Sequence, residues 1–245
     1  MRRGQSGFSL VELAVVLAII GLLLASAMFT LSAQTEQRNF SDTQRRLYEA
    51  KELLLSFALV NGRLPCPGLA TGDESGGGAA VCTNPYNGFL PARAIGFQPV
   101  DSDGFGLDAW GNRIRYAVSA TTWGTGARFT RQHVPNSVTS WSIAQTPADL
   151  VICSLTPAVA TATACDANTS LTNQTTVVAV IVSTGKNTAT GGTGANEARN
   201  LDAIPLFVSR PPDPPGATGG EFDDMVTWIP VGVLYGRMIA AGVLP

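Results

Sequence analysis

The chain has 245 residues, a net charge of −2 and only 14 % Asp, Glu, Lys and Arg. It has no basic stretch of the kind that follows a phosphate backbone, so nucleic acid is not an expected partner. Charge this sparse, with Gly, Thr, Ala and Ser between the apolar runs, suits an exported β-rich domain, and the length allows one well-buried domain after an N-terminal segment.

Met1 to Gly7 is short, basic and rich in small residues, and it passes without a spacer into an apolar run that begins at Phe8. A secretory signal carries its cleavage site after the apolar core, whereas the processing site here, Ser6-Gly7-Phe8, precedes it. Cleavage there keeps the apolar segment. From Leu13 to Leu31 nineteen residues pass without a charge, close to the ~20 that cross a bilayer as a helix. Arg2 and Arg3 put the N-terminus on the cytoplasmic side, and their loss with the leader takes the net charge from −2 to −4. Glu12 is the one charge inside the run. A carboxylate so placed is costly unless paired, which marks it as functional. Cleavage after Gly7 creates an ammonium at Phe8, one helical turn from Glu12. If a neighbouring helix is displaced by that turn, Glu12 of one chain meets the Phe8 amine of another and fixes the register. The alternative is an uncleaved signal anchor whose Glu12 snorkels to the interface.

The tract Gly7-Phe8-Ser9-Leu10-Val11-Glu12-Leu13 resembles the cleavage and methylation motif of type IV pilins and of the pseudopilins of type II secretion. The resemblance implies that prepilin peptidase, an aspartyl protease of the membrane, cuts between Gly7 and Phe8 and methylates Phe8. It implies that Glu12 pairs with the amine of a neighbouring subunit during filament assembly on an inner-membrane platform. It also implies a single-pass protein of the bacterial inner membrane with a periplasmic domain, later part of a periplasmic or surface filament. A structural subunit is expected rather than an enzyme. The reading from a different class is a signal-anchored exported domain that binds a ligand or carries an activity.

Between Ser32 and Leu59 there is no Gly or Pro, and Phe40, Leu47, Leu54 and Ala58 recur at near-heptad spacing against charged neighbours. The spacing predicts a helix from about Phe8 to Val60, about 80 Å long. Asn61-Gly62 ends it, and Pro65 and Pro67 forbid its resumption. The chain therefore divides into a leader (1–7), a membrane-spanning helical half (8–31), an amphipathic half (32–62) and an exported domain (63–245).

Leu64 to Asp108 reads as a long connection with turns. Cys66 and Cys82 lie sixteen apart, and Cys153 and Cys165 twelve apart. With one histidine in the chain a zinc site is disfavoured against disulfides, and 66–82 with 153–165 is the connectivity chosen among three. Asp108-Ala109-Trp110-Gly111-Asn112 makes a turn before a half-buried strand of Ile114, Tyr116 and Val118, and this tract resembles a segment of the major pseudopilin. Further strands are expected at Leu150–Leu155, Val177–Ser183, Ile204–Ser209 and Met225–Ile229, with a short helix or strand over Val231–Gly242. The uniformly apolar Val177–Val182 is expected at the sheet centre. The fold class is α+β, a long helix on an antiparallel sheet with disulfide-tied loops.

The Gly-rich stretch from Ser183 and the tract Glu221 to Trp228 also resemble, at their ends, the pseudopilin loop that holds calcium. Asp223 and Asp224 are the candidate ligands, since adjacent carboxylates on a turn suit a hard cation. A solvated acidic turn is the competing reading. Asp101, Asp103 and Asp108 are read as solvated turn acids, and His133, Trp123 and Trp141 as structural.

Overall fold

The structure, a computed structural model, describes residues 9–76, 81–123, 126–131, 148–159, 161–173, 175–188, 194–217 and 220–244, except for the side chains of 24–33 and 123–127. Gly7, Phe8, His133, Trp141 and the side chain of Trp123 thus lie outside the description. The chain forms two compact units, Met1–Ser41 and Asp42–Pro245, with the boundary inside the first helix.

Helix α1 runs from Leu10 to Asn61. Gly62 ends it: at φ 64° its N–H donates to Ala58 O at 2.9 Å, a left-handed closure that favours glycine. Within the first unit Leu10, Val11, Leu13, Leu17, Leu22 and Leu23 are exposed. Among the described residues no helix carries a stretch long and apolar enough to cross a membrane. The expected span 8–31 includes Phe8 and the side chains of 24–31, which lie outside the description.

In the second unit the same helix turns a buried face of Leu47, Ala50, Leu54, Leu55 and Ala58 to the domain, and it packs on an antiparallel sheet. The sheet has four strands in the order β1 (Gly88–Phe89), β2 (Arg115–Val118), β6 (Val177–Ser183) and β8 (Met225–Pro230). All seven residues of β6 are buried, which explains the absence of polar alternation there. Val180 and Val182 share one face with Ala117, Ile152 and Phe207. On β2 the alternate residue Tyr116 is buried and donates to Pro65 O at 3.1 Å, just past the end of α1.

Two expected strands leave this sheet. β5 (Val151–Cys153) and β7 (Leu206–Val208) pair with each other in parallel, and Ile152 and Phe207 pack on the face of β6. They form a second layer over the sheet. Their other sides form a small core with Phe222, beside Cys165. A third pair, β3 (Thr122–Trp123) and β4 (Gly126–Ala127), is antiparallel. The C-terminal segment is a helix, α4 (Val231–Ala240), which buries Leu234, Tyr235 and Met238 at helical spacing and ties back to α1 through Arg237 and Glu52 at 3.2 Å.

The long connection after α1 belongs to the core. It contains the short helix α2 (Ala92–Ile95) and buries Leu64, Leu90, Phe97 and Phe105. Cys66 bonds Cys82 and Cys153 bonds Cys165, and no described cysteine is free. Arg63 holds Glu74 through both guanidinium nitrogens at 2.7 and 2.5 Å. Asp101 and Asp103 are paired turn acids: Arg113 bridges them at 2.6 and 2.7 Å while lying over the Phe105 ring.

Candidate functional site

At the N-terminus Ser9 and Glu12 form a reciprocal pair. Ser9 N–H donates to Glu12 Oε2 at 3.0 Å and Glu12 N–H donates to Ser9 Oγ at 3.2 Å. This is a capping box, which satisfies two backbone donors at the start of α1 and puts a negative charge at its positive end. Its sequence signal is Ser9-x-x-Glu12. In the isolated chain the Glu12 carboxylate is exposed and engaged with its own helix end.

The second site is built where the Gly-rich loop folds back on the start of β8. Helix α3 (Ala195–Asn200) brings Glu197 to Asp223 and Asp224, and one carboxylate oxygen from each lies within 4.8 Å of the other two. Sequence reading identifies the two aspartates but not Glu197, which lies twenty-six residues before Asp223 with no motif linking them. Glu197 and Asp224 are buried, and Asp223 is half-buried. The competing reading as a solvated acidic turn therefore fails for Asp224, and Asp223 is only partly open to solvent.

The loop after β6 holds two of the carboxylates and α3 holds the third. Asp223 Oδ2 accepts from the N–H groups of Lys186 and Asn187 at 2.9 and 3.1 Å. Glu197 Oε1 accepts from Asp223 N–H at 3.0 Å, and both Glu197 oxygens accept from Asn187 Nδ2. Asp224 Oδ2 accepts from Asn200 Nδ2 at 2.7 Å. Asn200 also brackets the backbone of Val208, accepting from its N–H at 2.7 Å and donating to its carbonyl at 3.0 Å, so the same amide holds strand β7 and the acid. Gly185 has no alternative here, since its φ is +61° and a Cβ would fall 2.3 Å from Asp223 Oδ1.

Burial dominates the electrostatics. It pushes the Asp224 carboxyl up to about 8, and the charges of Glu197 and Asp223 act in the same direction. Asp223 is pushed up to about 6 by burial first, then by Glu197 and Glu221, against the two N–H donors. Like charges crowded in low dielectric favour protonation or a bound cation. Asp223 Oδ1 is buried with no hydrogen-bond partner. An orphaned carboxylate oxygen beside two more carboxylates, with no soft donor, fits a hard oxygen-binding cation such as Ca²⁺.

Asp108, read from the sequence as a solvated turn acid, is 1 % exposed. The chain reversal 108–112 turns its carboxylate inward, where it accepts from Ser183 Oγ at 2.6 Å and from the N–H groups of Trp110 and Asn112 at 3.0 and 2.8 Å. Burial raises its carboxyl, and these donors oppose the rise. Trp110 and Trp228 are half-buried, and Trp228 packs on the core of the sheet.

Residues 2–28 match the family described as Prokaryotic N-terminal methylation motif, the signature of type IV pilins and pseudopilins. No curated protein and no solved structure matches the chain. The chain thus carries the N-terminus of a pilin-type precursor.

Proposed function

We propose that this protein is a structural subunit, a minor pilin or pseudopilin, of a type IV pilus or type II secretion filament. The observation that carries the reading is the methylation motif at residues 2–28, placed at the start of a helix whose apolar side chains up to Leu23 are exposed. Such a surface calls for lipid or other helices. Prepilin peptidase cuts between Gly7 and Phe8 and methylates Phe8. The segment from Phe8 to Leu31 anchors the precursor in the inner membrane, with the domain in the periplasm. On the assembly platform Glu12 exchanges its Ser9 partner for the Phe8 amine of a neighbouring subunit. The two disulfides and the long core-forming connection favour a minor subunit over a small major one.

Intact-mass analysis tests the processing. A mature chain beginning at methylated Phe8 is expected; one still beginning at Met1 overturns the reading in favour of a signal-anchored exported domain. For Glu12→Ala, normal processing with loss of co-assembly is expected, and normal incorporation into filaments refutes the role of Glu12.

A second reading concerns the acidic site. Glu197, Asp223 and Asp224 would hold Ca²⁺, which would neutralise their mutual repulsion and tie α3 to the start of β8. The orphaned Asp223 Oδ1 favours it. Calorimetric titration of the chelator-treated protein with CaCl₂ is expected to show one site that Glu197→Gln removes, and a flat titration of the wild type excludes it.

A further inference from the structure

Two sets of hydrogen bonds converge on Asp108 from opposite sides. On one side lies α1: Arg46 donates to the carbonyls of Leu107 and Asp108 at 3.1 and 2.5 Å, and Thr43 Oγ1, fully buried, accepts from Ala109 N–H at 3.1 Å. On the other side lies the loop that leaves β6. Ser183 Oγ donates to Asp108 Oδ2 and accepts from Gly185 N–H at 3.3 Å, while Asn112 Nδ2 donates to Gly185 O at 2.5 Å. The N–H groups of the next two loop residues, Lys186 and Asn187, hold Asp223. The turn between the two sides is hydrogen-bonded within itself. Asp108 N–H donates to Asn112 O at 2.9 Å and Gly111 holds φ 85°, so a displacement of the backbone carries the carboxylate with it.

We propose that Asp108 is a positioning residue through which the seating of α1, from Asp42 onward, is thermodynamically linked to the order of the Ser183–Asn187 loop. Burial is the reason. Helix α1 holds the backbone of the turn and the loop holds its buried carboxylate, where water does not replace a lost partner, so a shift of the turn's backbone leaves unsatisfied groups on the loop side, and the reverse. Linkage of this kind is reciprocal: a loop held in place favours the seated helix, and a displaced helix loosens the loop. The inference goes beyond the filament-subunit reading and stands whether or not a cation binds.

Hydrogen exchange read by mass spectrometry on the full chain in detergent tests it. Arg46→Ala is expected to speed exchange at Lys186 and Asn187 about fivefold, the loss of roughly one net hydrogen bond. Ser183→Ala is expected to speed exchange over 43–50 by a similar factor, and Ser183→Thr, which keeps the hydroxyl, to restore it. The double variant is expected to speed exchange by less than the product of the two single effects. Acceleration confined to the mutated side overturns the linkage, as does uniform acceleration that includes β6, the mark of global destabilisation. Added CaCl₂ separates the two readings. Protection gained at Asn187 but not over 43–50 overturns the linkage; no protection anywhere, with the variants still coupled, overturns the cation site and leaves the linkage standing.

Discussion

Along α1 the same kind of side chain meets two environments. Leu17 is 61 % exposed, whereas Leu54, ten turns further along the same helix, is 0 % exposed. Both are leucines in regular helix, so local propensity does not distinguish them. The later stretch alternates apolar and charged positions, giving one face for a core to cover. The earlier stretch, from Leu13 to Leu31, is without charge on any face. One region of the helix buries its apolar face in the second unit, and in the other the described apolar side chains stand exposed.

The largest effect that sharpens this contrast is Leu54→Ala, expected to lower stability by about 2–5 kcal/mol, against less than about 0.5 kcal/mol for Leu17→Ala. Chemical denaturation of the full chain in detergent measures both, and equal losses would erase the contrast. Replacing Cys66 and Cys82 by Ser opens a sixteen-residue loop and is expected to cost about 3 kcal/mol in the second unit. Amide exchange of α1 before Ser41 should stay unchanged; faster exchange there would show that the helix is supported as a whole.

Gly185→Ala is expected to cost about 1–2 kcal/mol from the left-handed backbone alone, and to move Asp223. A calorimetric affinity for Ca²⁺ equal to wild type would show that the loop tolerates the intrusion. A further effect is one of pH. Asp224, pushed up to about 8, and Asp223, pushed up to about 6, bind protons in the folded chain where the unfolded chain, near 3.8, does not. The folded state therefore holds more protons across that window, and stability falls as pH rises from about 4 to about 8. Denaturation midpoints in chelator at pH 5 and pH 8 should show the decline, and saturating CaCl₂ should reduce it. A rise in chelator would contradict the crowding of the acids.

The helix was legible because its signals are local. Its end at Asn61-Gly62 and its buried Leu47, Leu54 and Ala58 follow from periodicity and a stop residue. The central position of β6 was readable for a similar reason, a run with no polar face. Strand partners were less so. β5 and β7 have the composition of sheet members, but they pair in parallel across more than fifty residues and the Val208 backbone is met by Asn200, contacts that no window of sequence contains.

The sites divide in the same way. The run from Gly7 to Leu13 carries by itself the pilin-type signature, because a motif and a helix start are both written in consecutive residues. It also spells out the Ser9-x-x-Glu12 capping box. Asp223 and Asp224 are visible as adjacent acids. Only the tertiary structure adds Glu197 to them and turns Asp108 from a surface acid into a buried junction. The physical reason is burial: the charge and hydrogen-bonding capacity of a carboxylate are written in the residue, but what it is worth depends on neighbours that folding brings in from far along the chain.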